Sequence, residues 1–312
     1  KGSVIRPFRN GRDLAQRPRD VEVIDLFGLT EDQVRREHPE LYQHLSTTVR
    51  PEREHNNRDS YREFWWIFSE PRSEFRHAVG GLSRYLATVR TGRHKHFQFL
   101  SSSIAPESEV VSITLSDGSS LGILSSRVHI SFALASGGWM GVGNDARYTN
   151  SRTFDPFPFP DLSENLSLKS RLADLGERLD AFRKERLAAH DLLTMTGLYN
   201  VLERVRELEW KAGHGRHSDN AETIGPLTDK ERDIYDAGHI AILKDIHDEI
   251  DTLVLAAYGW SDLAHDLVGR PGATTPSPYK SDDQLKAEEE LLTRLVALNQ
   301  ERAAEEARGV VR

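Results

Sequence analysis

The feature that most constrains the fold is a change of hydrophobic periodicity after Pro160. Downstream of it, apolar residues recur at spacings of 4, 3, 4 and 3, at Leu168, Leu172, Leu175, Leu179 and Phe182. This spacing is typical of a helix that packs side by side with another helix. Helical patterns continue through "LYNVLERVRELEW", "TDKERDIYDAGHIAILKDIHDEIDTLVLAAYGW" and "SDDQLKAEEELLTRLVALNQERAAEE". Residues 161–312 are therefore predicted to form an all-helical C-terminal module.

Residues 1–160 have a mixed character instead. "DVEVIDLFG" alternates as a half-buried strand does, and Thr30 is placed to cap a helix over "LTEDQVRREHPELYQHL". "SRYLATVR", "HKHFQFL", "EVVSITLS" and "SLGILS" predict strands across residues 82–125, and "ILSSRVHISFALAS" predicts a helix that Gly137 ends. The predicted fold class is α+β, with a mixed β-rich module over 1–160 and a boundary near Pro160.

Two aromatic segments are interpreted as structural. Trp65 and Trp66 are predicted to pack in the core. The segment from Phe154 to Pro160 is predicted to be an extended strap, because its prolines exclude a helix or a central strand. Phe157 and Phe159 would then pin this strap against the core.

Composition excludes several classes of protein. Cysteine is absent, so the chain has no disulfide framework and no thiolate metal site, which fits a reducing cytoplasm. No apolar run approaches the roughly 18 residues that a membrane span needs. The start, "KGSVIRPFRN", lacks the apolar core of a signal peptide and an initiator Met, so we expect a piece of a longer chain or a separate subunit.

Charge is distributed unevenly along the chain. Residues 1–160 carry 21 Lys and Arg against 19 Asp and Glu, whereas residues 161–312 carry 20 against 30. Positions 75–106 contain no acid at all. The cations of this window that we predict to contact DNA phosphates are Arg84, Arg90, Arg93 and Lys95. An ordinary solvated surface is the alternative.

The Gly-rich segment 136–152 contains side chains of the types that read base edges in the grooves of DNA. Asn suits adenine, Arg suits guanine, and Asp accepts from cytosine. The predicted base-reading residues are Trp139, Asn144, Asp145, Arg147, Asn150 and Arg152. The alternative is a surface loop without a ligand.

Motifs of catalysis are absent. The chain lacks a Gly-x-Ser-x-Gly elbow and a phosphate-binding loop that ends in Gly-Lys-Ser/Thr. His239, His247 and Asp251 suggest a metal hydrolase, since 247 and 251 share a helix face. A pair on the surface of a helix is the simpler interpretation, so no metal and no catalytic residue is assigned.

Four ordered segments carry a resemblance to a known family. They are "IRPFRNGRDL", "RPEREHNNRDSYREFWW", "GILSSRVHISFAL" and "GNDARYTNSRTFDPFPFPD". Together they resemble the part downstream of the catalytic domain in MmeI-like type IIG/IIL adenine DNA methyltransferases of restriction–modification systems and in related phage-defence methyltransferases. "LYNVLERVRELE" and "GPLTDKERDIYDAGHIAILKDIHDEIDTLVLAAYGWSDL" resemble the helical C-terminal region of the same enzymes.

The resemblance implies a target recognition domain over 1–160, of which 1–60 would connect to a catalytic domain outside this chain. Its partners would be double-stranded DNA and that catalytic domain, in the cytoplasm of a bacterium or archaeon, at the nucleoid. The family's glycine motif for S-adenosylmethionine and its Asn/Asp-Pro-Pro-Tyr/Phe motif are missing, since Asp155-Pro156-Phe157 lacks the second proline. The chain would therefore hold no cofactor and transfer no methyl group by itself. The alternative is a helical scaffold of a defence complex that reads no bases.

Overall fold

The computed structural model describes residues 4–141, 145–214 and 224–309. The elements up to Ser136 are β1 (Ile5–Arg9), α1 (Gly11–Ala15), β2 (Glu22–Ile24), α2 (Glu31–Glu37), α3 (Pro39–Thr48), α4 (Arg50–Arg53), α5 (Asp59–Glu63), α6 (Ser73–Ala78), β3 (Arg84–Val89), β4 (Thr91–Gly92), β5 (Gln98–Ser101), β6 (Ala105–Pro106), β7 (Val110–Ile113), α7 (Gly118–Ser125) and α8 (Arg127–Ser136).

The remaining elements are β8 (Gly138–Met140), β9 (Asp145–Arg147), a π-helical turn (Asn150–Phe154), α9 (Leu166–Ala189), α10 (Met195–His214), α11 (Asp229–Gly238), α12 (Ile240–Ala257), a 3₁₀ turn (Ser261–Leu263), α13 (Ala264–Leu267) and α14 (Asp282–Ala307). Among the described residues, strands occur only before Pro160 and long helices follow it, so the predicted α+β class is confirmed.

The N-terminal part is a small sheet covered by short helices. β1 pairs antiparallel with β2 and parallel with β6. Thr30 caps α2 as predicted, and its side chain and that of Gln33 each accept from the other residue's amide. Trp65 is buried beside Leu26, Val34 and Leu45, which confirms its place in the core.

A second sheet, of order β5-β3-β7, forms the centre of the first half. β3 pairs antiparallel with both neighbours, with Leu86 opposite Phe99 on one side and Ile113 on the other. The apolar side chains of this sheet pack against Leu121 and Leu124 of α7.

One predicted strand is a helix. "SLGILS" lies within α7, because Asp117 accepts from the Ser120 amide and begins a helix at the Asp-Gly pair. An Asp-Gly pair also suits a turn between strands, but here the Asp117 carboxylate accepts from the Ser120 amide and caps a helix. The helix predicted over 123–136 is divided between α7 and α8. The Ser126 side chain accepts from the His129 amide and caps the second helix, α8.

The leucine seam lies on α9, as the periodicity predicts. Leu172, Leu175 and Leu179 are buried in the largest core of the molecule, against α7 and α12. A β-carbon placed on Gly176 would lie 2.0 Å from the Gly118 carbonyl oxygen, so α7 and α9 touch backbone to backbone. The same core includes Val128 and Phe132 of α8, so apolar packing is continuous across Pro160.

The strap between the two halves packs against the core as predicted, but its first part is not extended, because Phe154 ends the π-helical turn and residues 155–156 form a turn. Phe157 is buried, and Phe159 packs against the same core. The backbone carbonyls of the strap are held from outside: Tyr258 donates to the Pro158 oxygen at 2.8 Å, and Asn299 donates to that of Pro156. Side chains at the end of α12 and on α14 thus satisfy backbone carbonyls that lie outside any helix or strand.

Within the described ranges, no helix combines the length and the apolar character that crossing a membrane requires.

Replacing Gly176 by Ala should lower the free energy of unfolding by about 1–3 kcal/mol or more, because the new β-carbon meets backbone atoms that cannot move aside cheaply. The control is Gly213→Ala on α10, where a β-carbon meets nothing within 4 Å. That change should be neutral or stabilise by up to about 1 kcal/mol, since Ala favours a helix. The free energy of unfolding of both variants is measured by urea titration. Equal changes in the two variants would contradict the backbone contact between α7 and α9.

Acid should destabilise the protein below about pH 6.5. Burial lowers the pKa of His96 and of His129 to about 3, whereas in the unfolded chain each titrates near 6.5. The unfolded state then binds more protons, and each histidine costs about 1.4 kcal/mol per pH unit as the pH falls through this window. Unfolding measured from pH 7 to 5 should show this slope.

In His129→Gln, the loss of unfolding free energy per pH unit should be smaller by about 1.4 kcal/mol, the contribution of one histidine. His44→Gln, on the exposed side of α3, serves as the matched control and should keep the wild-type slope. An unchanged slope in His129→Gln would show that His129 does not carry the effect.

Candidate nucleic-acid interface

A three-stranded ribbon brings together two segments that the sequence analysis treated separately. β9 is its central strand, paired antiparallel with β4 on one side and β8 on the other. The acid-free window thereby meets the Gly-rich segment. We call β4, β8 and β9 the ribbon.

The register of the ribbon separates its side chains into two faces. Directly opposed residues of antiparallel strands share a face, and faces alternate along a strand. Arg147 lies opposite Thr91 and Gly138, and Asp145 lies opposite Met140. The outer face therefore carries Thr91, Met140, Asp145 and Arg147.

The inner face carries Gly92, Trp139 and Ala146. Ala146 is buried against the body of the protein, and Trp139 at the edge strand stays 41% exposed. The outer face thus points away from the core, and the predicted reader Trp139 lies on the other face from Arg147.

Gly137 attaches the ribbon to the end of α8. A β-carbon at this position would lie 2.7 Å from the Arg147 carbonyl oxygen and 2.6 Å from that of Ala133. Only glycine allows the helix end and the strand to approach so closely. The amide of Tyr148 then donates to the Arg90 carbonyl at 2.7 Å, which continues the pairing past β9.

Three of the predicted cations have no partner within the described part of the chain. The side chains of Arg93, Arg147 and Arg152 are exposed and form no hydrogen bond or ion pair there. Elsewhere guanidinium groups are commonly neutralised, as Arg76 is by Asp25 and Arg294 by Asp262. The ribbon and the turn that follows it therefore present uncompensated positive charge to solvent.

Two other predicted cations have structural partners. Arg84 donates to Glu177 of α9 at 2.8 Å and lies over the Phe99 ring at 3.7 Å. Arg90 donates through two of its nitrogens to the Ser108 carbonyl, at 3.1 and 2.9 Å. Both guanidinium groups are half-buried, and their bonds hold neighbouring backbone and helix in place.

Lys95 lies in the interior, so the prediction of a surface lysine at this position is wrong. Only 2% of it is exposed, and its ammonium donates to the Ala146 carbonyl at the centre of the ribbon. Burial lowers its pKa to about 8, against an opposing effect of Asp145. Its role in this structure is to support β9 from beneath.

The other predicted base readers are placed as follows. Asn144 lies outside the described residues. Asn150 and Arg152 are exposed on the π-helical turn directly after the ribbon. Trp139, Asp145 and Arg147 lie on the ribbon itself.

A buried polar chain fixes the turn between β4 and β5. The Nδ1 atom of His94 lies 2.9 Å from the Thr274 hydroxyl, and that hydroxyl donates to Glu203 at 3.0 Å. Glu203 also accepts from the amides of Gly272 and Thr274. Burial opposes ionisation of Glu203, but Arg206 and these donors outweigh it and hold the pKa of its carboxyl below the usual range.

Sequence reasoning missed several of these residues. Thr91 and Met140 join the outer face only through the pairing of β4 and β8 with β9, and these strands are two or three residues long. Glu203 and Thr274 are remote from the ribbon in sequence, and a lone Glu on a helix gives no sign that it is buried.

The suggested metal ligands do not form a site. His247 is buried and lies 3.0 Å from the Tyr199 hydroxyl, and Asp251 accepts from the Arg127 amide at 2.6 Å. The interpretation of these two as a helix-surface pair is therefore wrong, because both are packed between α7, α10 and α12. His239 is exposed at the junction of α11 and α12. Across the described ranges, no group of three His, Asp or Glu residues is arranged to hold a metal.

The first half of the described chain combines three small sheets with short helices, and a glycine contact joins it to a helical half. A solved structure with this fold is that of the type IIL restriction–modification enzyme MmeI in complex with DNA, at a TM-score of 0.59 and 14% sequence identity. The similarity covers 96% of this chain and 31% of the MmeI chain, so the chain spans about a third of that protein's length. No family model and no curated protein sequence matches the chain.

Replacing Glu203 by Gln should destabilise the protein by about 3–5 kcal/mol, because it removes one partner of a buried charge pair. The amides around His94 should also exchange hydrogen faster, since the Lys95 amide bonds to the Thr274 carbonyl. Glu209→Gln, on the same helix, removes a half-exposed partner of Lys244 and should cost less than about 1 kcal/mol. Equal stability of the two variants would contradict the role of Glu203.

Proposed function

We propose that the chain is the duplex-DNA recognition module of an S-adenosylmethionine-dependent adenine DNA methyltransferase of a restriction–modification system. The observation that carries the proposal is the ribbon, whose outer face presents Arg147 and Asp145 next to the uncompensated Arg93 and Arg152. The fold shared with MmeI, whose structure is a DNA complex, supports the same function.

We place the outer face of the ribbon in the major groove. That groove is about 12 Å wide and admits an α-helix or a two-stranded ribbon, and each base pair shows a distinct pattern of donors and acceptors there. Within the described residues, the Arg147 guanidinium has no hydrogen-bond partner and would bind the O6 and N7 atoms of guanine. The Asp145 carboxylate accepts no hydrogen bond there and would accept from an exocyclic amine. Base reading by these two residues is the sequence-specific part of the mechanism.

Phosphate contacts form the other part. Arg93 directly follows β4 in the chain, and Arg152 lies on the π-helical turn after β9. Their charges are solvent-exposed and free to bind the sugar–phosphate walls of the groove. The acidic half, residues 161–312, repels DNA and would help to restrict binding to the ribbon side.

The helical half and residues 1–60 would hold this module against a catalytic domain that is not in this chain. That domain would bind S-adenosylmethionine and flip the target adenine out of the duplex, and it would transfer the methyl group. The present chain would recognise the DNA sequence and position the target adenine. It is expected to transfer no methyl group when incubated alone with S-adenosylmethionine and DNA.

Replacing Arg93 by Ala should weaken binding to all duplexes alike and reduce the slope of log affinity against log salt by about 1, because one phosphate contact is lost. Replacing Arg147 by Ala should instead cost about 1–3 kcal/mol on the preferred sequence and relax the preference at one position. The measurements are mobility shifts at several salt concentrations and selection of duplexes from a random pool.

The matched control is Arg178→Ala, which removes an exposed, unpartnered arginine of α9 in the acidic half. It should leave affinity and salt slope unchanged. If wild-type protein fails to retard a mixed-sequence duplex at low salt, the DNA-recognition proposal is wrong, and the helical scaffold without base reading takes its place.

A further inference from the structure

We infer that Met140 is a specificity-determining residue that contacts the 5-methyl group of a thymine, in the base pair that Asp145 reads. The inference rests on the proposed function and deepens it. The starting observation is the strand register of the ribbon, which cannot be read from the residue types in the sequence.

Met140 is the one large apolar side chain on the outer face. It is 46% exposed, although a side chain of this type is ordinarily buried. It lies directly opposite Asp145, and such opposed residues have β-carbons about 4.5–5.5 Å apart. The two side chains therefore project together from one point of the ribbon.

The chemistry of this pair matches one base pair in particular. In the major groove an A·T pair presents the adenine N6 amine, which donates, and the thymine 5-methyl, which is apolar. Asp145 can only accept, and Met140 can only make apolar contact. Within the described residues the Asp145 carboxylate has no hydrogen-bond partner, so it is free to accept from an amine.

Spacing links this pair to the guanine of Arg147. Residues 145 and 147 are two apart on one strand, or roughly 7 Å at 3.3–3.4 Å per residue. Base pairs follow one another at about 3.4 Å, so the thymine should lie about two steps from that guanine. The preferred sequence is therefore expected to contain an A·T pair at that separation.

Trp139 provides an internal comparison. It is the neighbouring residue on β8 and is similarly exposed, but the register places it on the inner face. A contact that depends only on exposed apolar surface would involve both residues, whereas a contact set by the register involves Met140 alone.

The experiment uses deoxyuridine in place of thymidine. A preferred duplex is first selected from a random pool with the wild-type chain, and each thymidine is then replaced singly by deoxyuridine, which lacks only the 5-methyl. At one position, wild-type affinity should fall about fourfold, which corresponds to about 0.8 kcal/mol for one buried methyl group. Met140→Ala should bind the two duplexes equally, and Trp139→Ala should keep the wild-type difference.

The outcomes separate this inference from the function on which it rests. If the wild-type chain selects no sequence from the pool, both the proposed function and the contact to thymine are wrong. If it selects a sequence but no single deoxyuridine weakens binding, or if Met140→Ala remains as sensitive as the wild type, only the contact to thymine is overturned. Circular dichroism of each variant confirms that it is folded.

Discussion

The buried carboxylate of Glu203 is the constraint on which the position of the ribbon depends. A charge in the interior must be paired and hydrogen-bonded. Glu203 pairs with Arg206 and accepts from the amides of Gly272 and Thr274. The loop after α13 is thereby held on α10. It offers the Thr274 hydroxyl to His94, and the next residue, Lys95, supports the central strand of the ribbon.

A second set of buried polar contacts makes the sheet and the helical half one structure. β5 is an edge strand, and its free backbone groups are covered by side chains of α9: Asp180 accepts from the Phe99 amide at 3.1 Å, and Arg183 donates to the Phe97 carbonyl. Arg183 also donates to the Tyr199 hydroxyl at 2.7 Å. Together with the close contact of Gly118 and Gly176, these bonds join α9 to β5 and to α7.

Much of the fold was predictable from local patterns. The seam on α9, the cap at Thr30, the strands β3 and β7 and the strap at Phe157 all follow from periodicity, capping chemistry or proline geometry. The error at α7 has a local cause, because Asp-Gly serves both as a turn and as a helix start. The division into modules at Pro160 remains a prediction, and the largest core runs across that point.

By itself, the sequence determined the α+β class, the acid-free window and the presence of side chains suited to reading bases, because composition and periodicity are properties of neighbours in the chain. It did not determine which cations are free. Lys95 and Arg93 are two residues apart, yet one supports a strand from inside and the other faces solvent. Tertiary structure decided this, because the faces of the ribbon depend on pairing between positions 91 and 147, and a register is set by packing over the whole domain.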